Sequence, residues 1–185
     1  MTFRVIAVCG MRRSGKDTIA KCIEELCEYK HVKISARLKQ MCNLLFGFTA
    51  EQMEESIKDV VDERIGITPR KAMQFVGTEM MQYKIQELLP SVGRSFWIDA
   101  LLQQERDPIV ISDMRFLHEA RAIRKMWGSD AMIIKVTRQG DGGAACDHIS
   151  EKEWMEIKED VLLVNDKSID DLVSQVKQLI ETNGT

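Results

Sequence analysis

The 185-residue chain is short of the features that mark several large protein classes. No apolar run approaches the length of about 20 residues that a membrane-spanning helix needs. The five cysteines are odd in number, scattered and without a CxxC pair, which argues against a disulfide framework or a zinc site and for reduced thiols. There is no excess of positive charge: the net charge of -3 gives no bulk electrostatic reason to expect nucleic-acid binding, although Arg12-Arg13 and Arg121–Lys125 are local basic clusters. No serine nucleophile elbow, internal repeat or low-complexity segment is present. His148, in Asp147-His148-Ile-Ser150-Glu151, has no second ligand at metal-binding spacing and reads as a residue bracketing a helix start. The chain enters an apolar strand at once, without a leader pattern, so the expectation is a cytoplasmic protein with neither a membrane nor a nucleic-acid partner. Homodimer formation is left open.

What is there begins with Cys-Gly-Met-Arg-Arg-Ser-Gly-Lys-Asp-Thr, residues 9–18. The spacing Gly10-x-x-x-x-Gly15-Lys16 is that of a phosphate-binding loop. It follows the apolar run Val5–Cys9 and leads into a helix expected from Asp17 to Tyr29. In that context backbone N–H groups converge on one concavity, the following helix points its positive end there, and Lys16 adds a cation for the outer phosphates. One departure stands out: the position after the lysine, normally a Ser or Thr whose hydroxyl meets Mg²⁺, is Asp17, followed by Thr18. A carboxylate beside a triphosphate is repulsive unless a cation lies between them, which makes Asp17 a candidate metal ligand, directly or through water. The alternative is an acidic cap on the first helical turn.

Apolar runs alternate with helical patterns, which predicts a parallel sheet covered by helices. Strands are expected near Arg4–Cys9, His31–Ser35, Pro108–Ser112, Met132–Thr137 and Val161–Val164. Thr49–Gln52 and Ser150–Glu153 have the form of capping boxes, and Ser168–Asp171 places a capping serine before an acidic first turn. Thr68-Pro69 opens a helix expected to reach about Leu89. One domain over residues 1–185 is expected, with a wholly helical insert over about 36–107, too long for a simple crossover, and a mobile loop over about 138–150 around Gln139–Ala145.

In Val110-Ile-Ser-Asp113-Met-Arg115 an acid and a base stand at the end of a buried strand, where open α/β sheets place their ligands. Asp113 is read there as a metal-binding or proton-accepting group, and Arg115 as a phosphate fork, against the alternative of a simple ion pair. Thr68-Pro69-Arg70 puts an arginine in a helical first turn, where it opposes the helix dipole unless an anion joins it. Lys39 follows the second strand with the same logic. Trp97 and Asp99 offer a stacking face and an acceptor for a base, or else belong to a core.

Together these segments resemble the phage-type deoxynucleoside monophosphate kinases. The likeness runs through Gly10-x-x-x-Ser14-Gly15-Lys16-Asp17-Thr18, Ala36-Arg-Leu38-Lys39, Thr68-Pro69-Arg70 with Gln74-x-x-Gly77-Thr78-Glu79, Asp113-x-Arg115-Phe116-x-x-Glu119, His148-x-Ser150-Glu151 and Asn165-Asp166, in order over nearly the whole chain. The loop is also similar to that of animal phosphomevalonate kinase. The resemblance implies a P-loop NTPase three-layer sandwich with a central parallel five-stranded sheet and a helical substrate-binding insert. It implies transfer of the ATP γ-phosphoryl, with Mg²⁺, to a deoxynucleoside monophosphate. Gly10, Arg12, Arg13, Ser14, Gly15, Lys16, Asp17, Thr18 and Arg138 would handle ATP, with Asp17 and Asp113 toward the metal. Lys39, Arg70, Gln74, Trp97, Asp113, Arg115 and Glu119 would handle the acceptor, with Lys16, Arg115 and Asp113 as the catalytic groups. Two alternatives stand beside this reading: another phosphorylated acceptor such as phosphomevalonate, and a nucleotide-binding switch without transfer.

Overall fold

The computed structural model describes residues 3–54, 56–138 and 152–183. The expected Ser150–Glu153 capping box, His148 and the glycine-rich loop fall wholly or partly outside these residues. The chain divides into two compact units, Met1–Lys33 with Leu101–Thr185, and Ile34–Ala100.

The first unit is built on five strands: β1 (Val5–Gly10), β2 (Lys30–Val32), β3 (Ile109–Met114), β4 (Ala131–Thr137) and β5 (Val161–Val164). Every pairing is parallel and the spatial order is β2-β3-β1-β4-β5. β1 is central and buried along its whole length, which is why it reads as an uninterrupted apolar run. Ile6 and Val8 of β1, Val110 of β3, Met132, Ile134 and Val136 of β4 and Leu163 of β5 form one face of the sheet. That face packs on Ile19, Ala20 and Ile23 of α1 (Lys16–Cys27) and on Leu172 and Val176 of α6 (Ile169–Asn183). α5 (Leu117–Trp127) packs on β1 and β4 from the alternate set of strand residues, burying Ala120 and Ile123. The result is the three-layer sandwich of a P-loop NTPase.

The ladder between β1 and β3 is irregular. Ala7 pairs with Ile111, but Cys9 pairs with Met114, so two residues, Ser112 and Asp113, lie opposite Val8 alone. Such a β-bulge re-aims side chains and is common beside functional sites.

The second unit begins with α2 (Ser35–Phe46). The expected second strand therefore stops early: Ser35 starts a helix, and β2 is only three residues long. The insert is also not wholly helical. Between a 3-10 turn at Glu51–Met53 and α3 (Pro69–Gln74) the chain makes turns and an isolated antiparallel bridge, Asp62 to Ile67. Side-chain bonding explains that turn. The buried Asp62 accepts from Arg64 Nε at 3.0 Å, Arg64 Nη2 at 2.6 Å and Gln52 Nε2 at 2.9 Å, and Gly66 adopts φ 72°. The Thr49–Gln52 capping box forms, with Gln52 N–H donating to Thr49 Oγ1 at 3.2 Å and Thr49 N–H to Gln52 Oε1 at 2.9 Å. Thr68 caps α3 through Lys71 N–H at 3.1 Å. Beyond Gln74 the helix widens into π turns over Phe75–Tyr83 and closes as a 3-10 turn at Lys84–Glu87. The last helix, α4 (Phe96–Gln104), leads back into the first unit.

Candidate active site

The glycine loop joins β1 to α1 and is fixed from three sides. Gly10 has φ 150°, and a Cβ there would lie 2.3 Å from the Val136 carbonyl oxygen, so the loop leaves the sheet through a gap that only glycine fits. Gly15 has φ 104°, and a Cβ would meet Asn165 Nδ2 at 2.8 Å and Leu172 Cδ2 at 2.9 Å. Arg13, between them, also lies in the left-handed region at φ 62°. Alternation of this kind turns successive N–H groups toward one side, the geometry of an anion nest. Asn165, just after β5, completes the clamp: its N–H donates to Thr137 O at 2.8 Å and its side-chain Nδ2 to Ser14 O at 2.9 Å.

Within this loop Ser14 is 1% exposed and its Oγ has no hydrogen-bond partner among the described residues. A buried hydroxyl left so is expected where a ligand completes it. Lys16 is buried, with Nζ donating to Met11 O at 2.5 Å. The ammonium is thereby held over the loop it would serve. Arg12 is half-buried, and Arg13 and Arg138 are exposed.

Asp17 lies in the first turn of α1 with its side chain 69% exposed. Its Oδ1 accepts from the Ser112 hydroxyl at 2.7 Å and from Lys33 Nζ at 2.8 Å. Partial burial pushes its carboxyl up, but the bonds from Lys33 and Ser112 outweigh this and hold it below the ordinary carboxylate range. His31 Nε2 lies 2.8 Å from the same Ser112 oxygen. Ser112, His31 and Lys33 are the residues that reading the sequence missed. The signal was faint: a serine breaking the apolar run of β3, with basic residues around β2.

Asp113, half-buried, is the other residue of the bulge, and Arg115 follows β3 at once. Glu119 is buried in α5, and its Oε2 accepts from Arg115 N–H at 2.8 Å and Phe116 N–H at 2.9 Å. It closes the β3–α5 turn as the carboxylate of a capping box closes a helix start. Desolvation pushes the carboxyl up to about 8, and the two backbone bonds offset this only in part. Gly10, Ser14, Gly15, Lys16 and Asp17 are thus brought together, and Ser112 links them to the segment carrying Asp113, Arg115 and Glu119.

Lys39, Arg70, Gln74 and Trp97 belong to the second unit. Lys39 Nζ lies 3.9 Å from Glu54 Oε1, and Gln74 is half-buried at the end of α3. Arg70 forks onto Asp59, with Nη2 donating to Oδ2 at 2.9 Å and Nε to Oδ1. The anion that its place in a helical first turn calls for is supplied from within the unit. Trp97 takes the core alternative that its sequence left open: it is 7% exposed, its indole N–H donates to Gly77 O at 2.9 Å, and Phe96 packs edge-on against it.

Mg²⁺ keeps several waters and takes few protein oxygens, so the acidic Asp17 beside a loop with an unsatisfied Ser14 hydroxyl fits it. No group of three or more His, Cys, Asp or Glu side chains among the described residues forms a metal cluster.

A parallel sheet with a glycine loop at the central strand's exit, and a lysine and an acid opening the next helix, is a P-loop NTPase fold. Among solved structures the chain resembles shikimate kinase from Aquifex aeolicus, with a TM-score of 0.51 and 12% identity over 97% of this chain and 98% of that one. It also resembles dephospho-CoA kinase from Campylobacter jejuni, with a TM-score of 0.51 and 14% identity over 96% of each chain. Residues 47–176 match the family model of deoxynucleotide monophosphate kinase. A protein of Acanthamoeba polyphaga mimivirus, provisionally described as a deoxynucleotide monophosphate kinase, is 30% identical over 96% of both chains. The chain belongs to the deoxynucleotide monophosphate kinase family and is a nucleotide kinase, a phosphotransferase.

Proposed function

We propose that the chain transfers the γ-phosphoryl group of ATP to the phosphate of a deoxynucleoside monophosphate, giving the diphosphate. The observation that carries this reading is the clamped glycine loop, with its buried, unsatisfied Ser14 hydroxyl and Lys16 held over it, in a chain of this family. Phosphoryl transfer asks for positioning and for positive charge on the moving oxygens. An attacking phosphate oxygen is already an anion, so no strong general base is needed. That assigns Asp113 to orientation rather than proton abstraction.

In this reading Gly10, Ser14, Gly15 and Thr18 cradle the ATP phosphates, and Lys16 compensates charge on the outer ones. Arg12, Arg13 and Arg138 add positive charge on the donor side. Asp17 and Asp113 would hold Mg²⁺, which when bound neutralises charge on the phosphate oxygens. Arg115 forks onto a transferring or accepting phosphate, in a turn that Glu119 keeps in shape. Lys39, Arg70 and Gln74 are the contacts assigned to the acceptor. Arg70 exchanges Asp59 for the acceptor phosphate, which like a carboxylate offers two oxygens to the guanidinium fork.

The test is coupled measurement of ADP release with ATP·Mg²⁺ and, in turn, dTMP, dGMP, dCMP, dAMP, their ribose forms and phosphomevalonate. Release that depends on one or more deoxynucleotides is expected and gives the base preference directly. Release with phosphomevalonate alone, or ATP binding without release, would replace this reading.

A further inference from the structure

We propose that Ser112 is a positioning residue for Asp17: with His31 behind it and Lys33 beside it, it fixes one carboxylate oxygen so that the other is presented to a magnesium ion or its water. This rests on the role given above to Asp17 and names the residues that make that role possible.

The direction of each bond follows from donor and acceptor chemistry. Ser112 Oγ has one proton, and an ionised carboxylate only accepts, so the proton at 2.7 Å from Asp17 Oδ1 is the serine's. The 2.8 Å contact between Ser112 Oγ and His31 Nε2 must then be donated by the histidine. The order is His31 to Ser112 to Asp17, with Lys33 donating to the same Asp17 oxygen from the other side at 2.8 Å. Both protein bonds fall on Oδ1, and Oδ2 has no protein partner among the described residues.

The partners differ in rigidity. Lys33 and Asp17 are 40% and 69% exposed, and solvent screens such a pair, so the lysine alone orients the carboxylate weakly. Ser112 is 1% exposed and sits in the sheet at the bulge, between β1 and the His31 strand. It is the fixed point of the group. An aspartate also needs such a point more than the usual serine or threonine at this position does, because its ligating atoms lie beyond one more rotatable bond. The two residues are 95 positions apart, so the fold rather than local sequence makes the contact.

The experiment is titration calorimetry of ADP with and without Mg²⁺, on wild type, Ser112→Ala, Ser112→Thr, Lys33→Met and Asp17→Asn, with a melting curve for each. Ser112→Ala is expected to bind ADP alone as wild type does, and to lose about tenfold or more of the tightening that Mg²⁺ brings, the range for removing a group that orients a metal ligand. Ser112→Thr keeps the donor and should recover most of it, and Lys33→Met should lose less. An unchanged Mg²⁺ effect in Ser112→Ala, with Asp17→Asn impaired, overturns the positioning role and leaves the role of Asp17 standing. An unchanged effect in Asp17→Asn overturns both. Should Ser112→Ala not fold, Lys33→Met and Ser112→Thr decide: a loss in Lys33→Met smaller than that of Asp17→Asn, with most of the Mg²⁺ effect kept in Ser112→Thr, supports Ser112 as the fixed point, whereas a loss in Lys33→Met equal to that of Asp17→Asn overturns it.

Discussion

Asn165 donates its side-chain N–H to the carbonyl of Ser14 at 2.9 Å, tying the exit of the edge strand β5 to the glycine loop 151 residues earlier. Asn165→Ala leaves that buried carbonyl without its donor, at a cost of about 1–3 kcal/mol. At about 2–4 °C per kcal/mol for a chain of this size, calorimetry should show a fall in Tm of several degrees. ATP affinity should fall too, because the lost bond shapes the loop. An unchanged affinity would mean that Asn165 holds only the sheet edge.

Glu119 should give stability a distinctive pH dependence. Its folded carboxyl is raised from an ordinary 4.5 to about 8, so between those values the folded chain binds more protons than the unfolded one. Its contribution is therefore fully present below pH about 4.5 and is lost as pH rises through about 8. Glu119→Gln does not titrate. Wild type should lose stability relative to this variant across that window and at a constant offset above it. Parallel denaturation curves at pH 5, 7 and 9 would refute the raised carboxyl.

Arg70→Ala should raise KM for the acceptor by about tenfold or more, the loss of one charge-assisted contact, with a smaller change in KM for ATP. Asp59→Asn removes the carboxylate that occupies the same fork and should move the acceptor KM downward. Equal effects of Arg70→Ala on both substrates would take Arg70 out of acceptor binding.

Trp97→Phe keeps the ring volume in part but removes the donor to Gly77 O. The expected result is destabilisation of about 1–3 kcal/mol with the ranking of bases unchanged. A changed ranking in the ADP-release panel would return Trp97 to the site.

Much of the fold could be read from the sequence, and for identifiable reasons. β1, β3 and β4 are strongly apolar runs, as strands buried on both faces must be, the edge strand β5 is a short apolar run with only Leu163 buried, and the elements of the phosphate loop lie within ten consecutive residues, 9–18. Three helix starts, at Thr49, Thr68 and Ser168, were legible because a cap is a local event. Ser168 N–H and Asp171 N–H each find the other residue's side chain, at 3.2 and 3.1 Å. What was hidden depends on pairing between distant segments. The Asp59 carboxylate on Arg70, the Gly77 carbonyl that captures Trp97 and the His31–Ser112–Asp17 chain all join residues that composition and periodicity treat separately. The second strand ended early for a related reason: Lys33 and Ser35 fit either a strand exit or a helix entry, and the neighbouring elements decide.

The irregular pairing of β3 has a consequence for how this strand tolerates change. Between Ala7 and Cys9 its neighbour spends one residue where β3 spends two. The strand therefore carries a surplus residue, and the apolar side chains on either side of it, Ile111 and Met114, are both fully buried. A regular ladder of the same composition would have room for a serine beneath α1 or for an aspartate, and would lose one of them. Counting residues rather than naming them, the chain keeps its two polar side chains at this strand end by being one residue too long for its own pleat.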